Sequence, residues 1–130
     1  VSTLHTYDYA VIRVVPRVER EEFINVGVIV SCPTARHLEA RIEIDEARLR
    51  AFAPSLDIAA LRPYLDAIVA ICRGDAGAGP IAALPPRARF HWLTAKRSSI
   101  VQVSPAHVGR TGQPERIVER LMERMVRLPL

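Results

Sequence analysis

At 130 residues, with 49% hydrophobic and 25% charged side chains, the chain has the length and balance of one ordinary globular domain, residues 1–130, and excludes a disordered or low-complexity protein. No run approaches the roughly 18 consecutive apolar residues of a membrane span, and the amino terminus lacks the basic and then apolar segment of a secretory leader, so the expected location is cytoplasmic. The net charge of +4 would suit an acidic partner, yet 17 of the 18 basic residues are arginine, Lys96 being the one lysine, a bias that a GC-rich coding sequence produces without any binding site.

The first predicted strand alternates with period two. Tyr7, Tyr9, Val11, Arg13 and Val15 fall on one face, and Asp8, Ala10, Ile12 and Val14 on the other. Arg13, between two valines, must reach water or find a carboxylate, because an unpaired buried charge costs roughly several kcal/mol. Glu21, Glu22 and the tyrosine hydroxyls are its local candidates. In the second strand, Asn25, Gly27, Ile29 and Ser31 alternate with Val26, Val28, Val30 and Cys32, which predicts a buried valine face and an open Asn/Gly face. Gly27 admits two readings. Either a ligand or partner backbone lies over it, framed by Asn25 and Arg13, or it marks a bulge closing the hairpin, with Asn25 capping the turn and Arg13 paired to Glu22.

A third strand is predicted over Leu38 to Ile44, its apolar residues alternating with Glu39, Arg41, Glu43 and Asp45. Asp45 reads as the N-cap of a short helix carrying Leu49 and Phe52 and ended by Pro54. Ser55 or Asp57 caps the next helix, where Ile58, Leu61, Leu65, Ile68, Val69 and Cys72 share a face, with a kink or restart at Pro63. Gly74 to Pro80 is a connection without a phosphate-loop ending. Arg87 to Leu93 alternates like a strand, with Ala88, Phe90 and Trp92 on one face, and is expected to form a hairpin with a strand over Ile100 to Val103. Pro114 opens a last helix with Ile117, Val118, Leu121, Met122 and Met125 on its apolar side. Its Arg116, Arg120 and Arg124, beside Glu115, Glu119 and Glu123, read as a solvated face of weak ion pairs or as a helix that docks on an acidic partner.

Residues able to do chemistry gather in Trp92 to Gly109. Lys96, Arg97, Ser98 and Ser99 offer two cations and two hydroxyls, a set that matches the acceptors of a phosphate or forms a plain turn. His107 is of the residue type that serves as a general base, but no nucleophile motif accompanies it. The four histidines and two cysteines lack metal-ligand spacing, so no metal or other cofactor is expected, and Cys32 and Cys72 read as inert buried thiols. No catalytic residue is assigned.

Tyr7, Tyr9, Arg13, Pro16, Arg20, Glu22, Asn25, Val26 and Gly27 resemble the opening motif of the bacterial domain-of-unknown-function family 3037. A second motif, Trp92, Leu93, Thr94, Ala95, Arg97, Ser98, Gln102, Ser104, Pro105, His107 and Gly109, matches the same family and extends the resemblance over most of the chain. The chain departs from the pattern at Lys96, where proline or a small residue is expected. The resemblance implies no mechanism, and it suggests a HipA-like kinase as a protein partner.

The expected fold is α+β: a mainly antiparallel sheet of about five strands with helices packed on one face. The expected function is a small interaction or accessory module that binds through one polar surface built from Tyr9, Arg13, Arg20, Glu22, Asn25, Gly27, Arg97, Ser98, Gln102 and His107. The alternative is an enzyme or ligand-binding protein acting on a phosphorylated small molecule or nucleic acid. It requires Tyr9, Arg13, Arg97, Ser98 and His107 to line one pocket.

Overall fold

In the computed structural model, which describes residues 3–129, the long strand β1 (His5–Val14) runs through the middle of an open antiparallel sheet. β2 (Ile24–Cys32) lies along one side of it, and β3 (His37–Ile42) lies beyond β2. The other side of β1 is shared end to end by two short strands. β4 (Val101–Val103) pairs with Ile12 to Val14, and β5 (His107–Thr111) pairs with His5 to Tyr9. Their registers differ by one residue, and Ser104 fills the gap: its N–H donates to the Val11 carbonyl at 2.8 Å, and its hydroxyl accepts from the Val11 N–H at 2.8 Å.

A bulge in β2 decides which side chains go where. Ile12 opposes Gly27 but Arg13 opposes Asn25, so Val26 is the extra residue and the alternation of β2 shifts by one there. Ile24, Val26 and Ile29 consequently point to one core, and Val28, Val30 and Cys32 to another on the opposite face. The expected single valine face is therefore split in two. The bulge needs glycine, since a Cβ on Gly27 would collide with the Arg41 carbonyl oxygen and stand 2.7 Å from the Ile42 Cδ1. That close approach comes from the neighbouring strand β3.

Helix α1 (Glu46–Phe52) starts where the Asp45 carboxylate accepts from the Arg48 N–H at 3.1 Å, and α2 (Ile58–Arg73) where Asp57 accepts from the Ala60 N–H at 3.1 Å. α2 ends at Gly74, whose φ of +73° suits glycine. The segment expected as a fourth strand is instead helix α3 (Pro86–Leu93). Two prolines at its start fit a helical first turn, and its buried residues, Phe90 and Leu93, are three apart rather than two. Arg89 on α3 donates to the carbonyls of Ile71 and Cys72 at 2.8 Å each, satisfying the end of α2. With α3 helical, the expected hairpin does not form, and β4 pairs with β1. The last strand is β5, which the polar sequence HVGRT does not announce.

The α+β class and the five antiparallel strands agree with the sequence, but the helices occupy both faces. α1, α2 and α3 cover the Ile12/Val14/Ile29 side, while α4 (Ile117–Leu121), prolonged by a π-helical turn over Met122–Val126, covers the Tyr7/Val28/Val30 side. Burial on two faces is why β2 reads as a nearly continuous apolar run. The last turn of the C-terminal helix is fastened by side chains: Asn25 Nδ2 donates to the Met125 carbonyl at 2.9 Å, and Arg48 donates to that of Val126 at 3.2 Å.

Candidate functional site

The bulge and the β4 register bring Arg13 between Asn25 on one neighbour strand and Gln102 on the other. All three belong to the sheet face that α4 packs on, at the end of β1 remote from Tyr7. There Arg13, Val15, Val18, Glu21, Phe23, Lys96, Arg97, Ser98 and Gln102 line an open cleft of about 680 Å³. Three cations face a single carboxylate, that of Glu21. The cleft unites the two sequence motifs, because β1 brings Arg13 from the first and the segment from α3 through β4 brings Arg97, Ser98 and Gln102 from the second.

Arg13 has none of its expected partners. Its guanidinium stacks on the Phe23 ring, 4.0 Å from the centroid, and its buried Nε has no hydrogen-bond partner among the described residues. Glu22 is engaged elsewhere by Arg20, in an exposed pair that raises the arginine pKa and lowers that of the carboxylate. Among the described residues no carboxylate lies within ion-pair distance of Arg13. Burial, with no compensating anion, pushes its pKa down. Beside it the Asn25 Oδ1 is also buried and unpartnered.

Arg97 is held differently. It donates to the terminal carbonyls of α3, Trp92 at 2.8 Å and Leu93 at 3.3 Å, and its Cζ sits 4.3 Å from the centre of the Trp92 ring. The end of the helix thus fixes a positive charge at the cleft wall, where the carbonyl dipoles favour it. Gln102 is fixed by donating to the Ser99 carbonyl at 2.8 Å. Anions with several acceptor oxygens, carboxylate or phosphate, match such a wall.

The remaining predicted residues lie elsewhere. Tyr9 and His107 oppose each other on β1 and β5, their rings 5.4 Å apart, about 13 Å along β1 from Arg13. Arg20 and Glu22 line a separate cleft with Pro16, Arg17 and the Phe52–Asp57 connection. Asn25 holds the C-terminal helix, and Gly27 is enclosed by β3. Several motif residues are structural for similar reasons: Gly109 leaves the space that the Tyr7 ring fills, and Ser104 closes the β4–β5 junction. Sequence reasoning missed Phe23 and Glu21 as cleft residues. An exposed phenylalanine beside a charged turn was the available signal for the first. No group of three or more His, Cys, Asp or Glu side chains able to hold a metal occurs among the described residues. No helix there is long and apolar enough to cross a membrane.

The family model described as Protein of unknown function (DUF3037) matches residues 9–126. No curated protein and no solved structure matches the chain.

Proposed function

The chain belongs to the family Protein of unknown function (DUF3037), a membership that carries no reaction, and we propose that it is a small cytoplasmic interaction module that seats an anionic group of a protein partner in the Arg13 cleft. The observation that carries this reading is Arg13 itself, a half-buried cation stacked on Phe23 and without a carboxylate, in a cleft whose other charged walls are Lys96, Arg97 and Glu21. An uncompensated cation is unfavourable in the free protein, and a bound carboxylate or phosphate removes that penalty. The HipA-like kinase suggested by the resemblance is one partner to test. A catalytic reading draws less support, because His107, the one candidate base, lies beside Tyr9 rather than in the cleft.

The test is titration of the full chain with a short glutamate-rich peptide at low and high salt. Wild type binds, and binding weakens with salt as exposed charge pairs require. Arg13→Gln loses at least about tenfold, the loss of one charged hydrogen-bonding partner, whereas Glu22→Gln, outside the cleft, does not. Equal binding by wild type and Arg13→Gln would overturn the proposal.

A further inference from the structure

The hydrogen-bond phase of β4 leaves part of its backbone unused. Val15 N–H donates to the Ile100 carbonyl at 2.6 Å and Ser104 N–H to that of Val11, so residues 100 and 104 turn their polar groups toward β1. Alternation in an antiparallel ladder gives Gln102 the same direction and turns the N–H and C=O groups of Val101 and Val103 outward. Among the described residues β4 pairs with β1 alone, so these groups lie on a free sheet edge. The Val101 carbonyl accepts from the Ser99 hydroxyl at 2.6 Å, and among the described residues no hydrogen bond reaches the two valine amides.

The two faces beside this edge differ in chemistry. Toward α2, the side chains of Val101 and Val103 join Tyr64, Ile68 and Trp92 around an apolar groove of about 210 Å³. Toward the other face, Gln102 joins the cationic cleft of Arg13, Lys96 and Arg97. Arg97 and Gln102 line both, so groove and cleft meet across the strand. An extended segment laid along β4 sends successive side chains alternately to the two faces.

Resting on the reading that the cleft takes an anionic group of a protein partner, we infer that β4 is a docking edge for an extended peptide segment whose side chains alternate apolar and acidic. The segment adds to the sheet as another strand. Its apolar side chains enter the groove at Trp92, its carboxylates face Arg13 and Lys96, and its backbone bonds to Val101 and Val103. Charge complementarity selects acidic over basic segments, since the cleft holds three cations against Glu21.

The test uses the full chain and a short capped peptide alternating valine and glutamate, followed by amide hydrogen exchange. Bound peptide slows exchange at Val101 and Val103, and N-methylation of its backbone on the side facing β4 weakens binding by about tenfold or more, the worth of one or two hydrogen bonds. If the N-methylated peptide binds as well and the two amides exchange unchanged, while binding still needs Arg13, strand addition is overturned and the anion-binding reading stands. If a valine and glutamine peptide binds as tightly as the glutamate one, the anion-binding reading falls and this inference falls with it.

Discussion

The Arg13 guanidinium lies 4.0 Å from the centre of the Phe23 ring while its Nε has no hydrogen-bond partner. A cation over an aromatic face recovers about 0.5–2 kcal/mol, less than a paired and fully bonded arginine would gain. Arg13 therefore reads as a residue retained at some cost to stability. Arg13→Met keeps an unbranched stem over Phe23 and removes the unpaired charge. The expected stability is unchanged or higher, by about 0–1 kcal/mol given the partial exposure, seen as an unchanged or raised thermal midpoint, while binding of acidic peptides is lost. Destabilisation by more than about 2 kcal/mol would assign Arg13 a structural role instead.

Gly109 and Tyr7 make a second pair with a directed consequence. A Cβ on Gly109 would collide with the Cζ and hydroxyl oxygen of Tyr7, and one on Gly27 would strike the Arg41 carbonyl. Both alanine variants should unfold at lower urea, each by roughly 1–3 kcal/mol as overpacking does. They differ in rescue. Replacing Tyr7 by leucine in the Gly109→Ala background recovers part of the loss, because the obstacle is a side chain. No side-chain change recovers Gly27→Ala, whose obstacle is the backbone of β3. Equal response of the two sites to the Tyr7 change would refute the distinction.

How far the sequence reaches follows from the same residues. β1, β2, β3 and the caps, Asp45 and one of the two candidates Ser55 and Asp57, were legible because they depend on neighbours in the chain, whereas the bulge offered for Gly27 has Val26 as its extra residue and forms without the Asn25 turn cap or the Arg13–Glu22 pair. α3 was not, since RARFHWL alternates by chance and its helical state depends on Arg89 closing α2 and on Phe90 and Leu93 entering the core. β5 was hidden because its side chains are mostly exposed and only pairing with β1 makes it a strand. The cleft was half legible. Arg13, Arg97, Ser98 and Gln102 are in it, but β5 follows β4 end to end along β1, so His107 falls opposite Tyr9, four residues along the strand from Arg13.

Cys32 and Cys72 belong to the cores on opposite faces of the sheet, so they have no route to a common disulfide in the folded chain. Burial pushes the Cys72 thiol up from 9.0 to about 12, and nucleophilic reactivity belongs to the thiolate. A thiol reagent at about pH 8 should label Cys72 only at the rate of unfolding, as followed by mass spectrometry with and without urea. The linkage has a definite sign. Between pH 9.0 and about 12 the unfolded thiol ionises and the folded one does not, so this group makes the fold less stable as pH rises through that window. Rapid labelling of Cys72 in the native chain would contradict its buried placement.

Glu119 ties the C-terminal helix to β3. It accepts from Arg127 and, at 2.8 Å, from Arg41, and Arg127 in turn donates to Glu43 at 2.9 Å. The hydrogen bond from Arg127 is the main reason that the Glu119 pKa falls below its ordinary 4.5, and the charges of Arg127 and Arg41 add to it. With the folded value depressed, the unfolded chain binds the proton first, so the contribution is complete above 4.5 and is lost as pH falls through the lower folded value. The group is exposed, which keeps the effect modest and sensitive to salt. Urea midpoints of wild type and Glu119→Gln should therefore differ at neutral pH, with the variant the less stable, and converge as acid titrates the carboxylate. Hydrogen exchange gives the location: amides of Leu121 to Val126 should lose protection in the variant before those of β1. If the two midpoints run parallel at every pH, the carboxylate does not fasten the helix, and the Asn25 bond to the Met125 carbonyl, with the apolar face of α4, holds it alone.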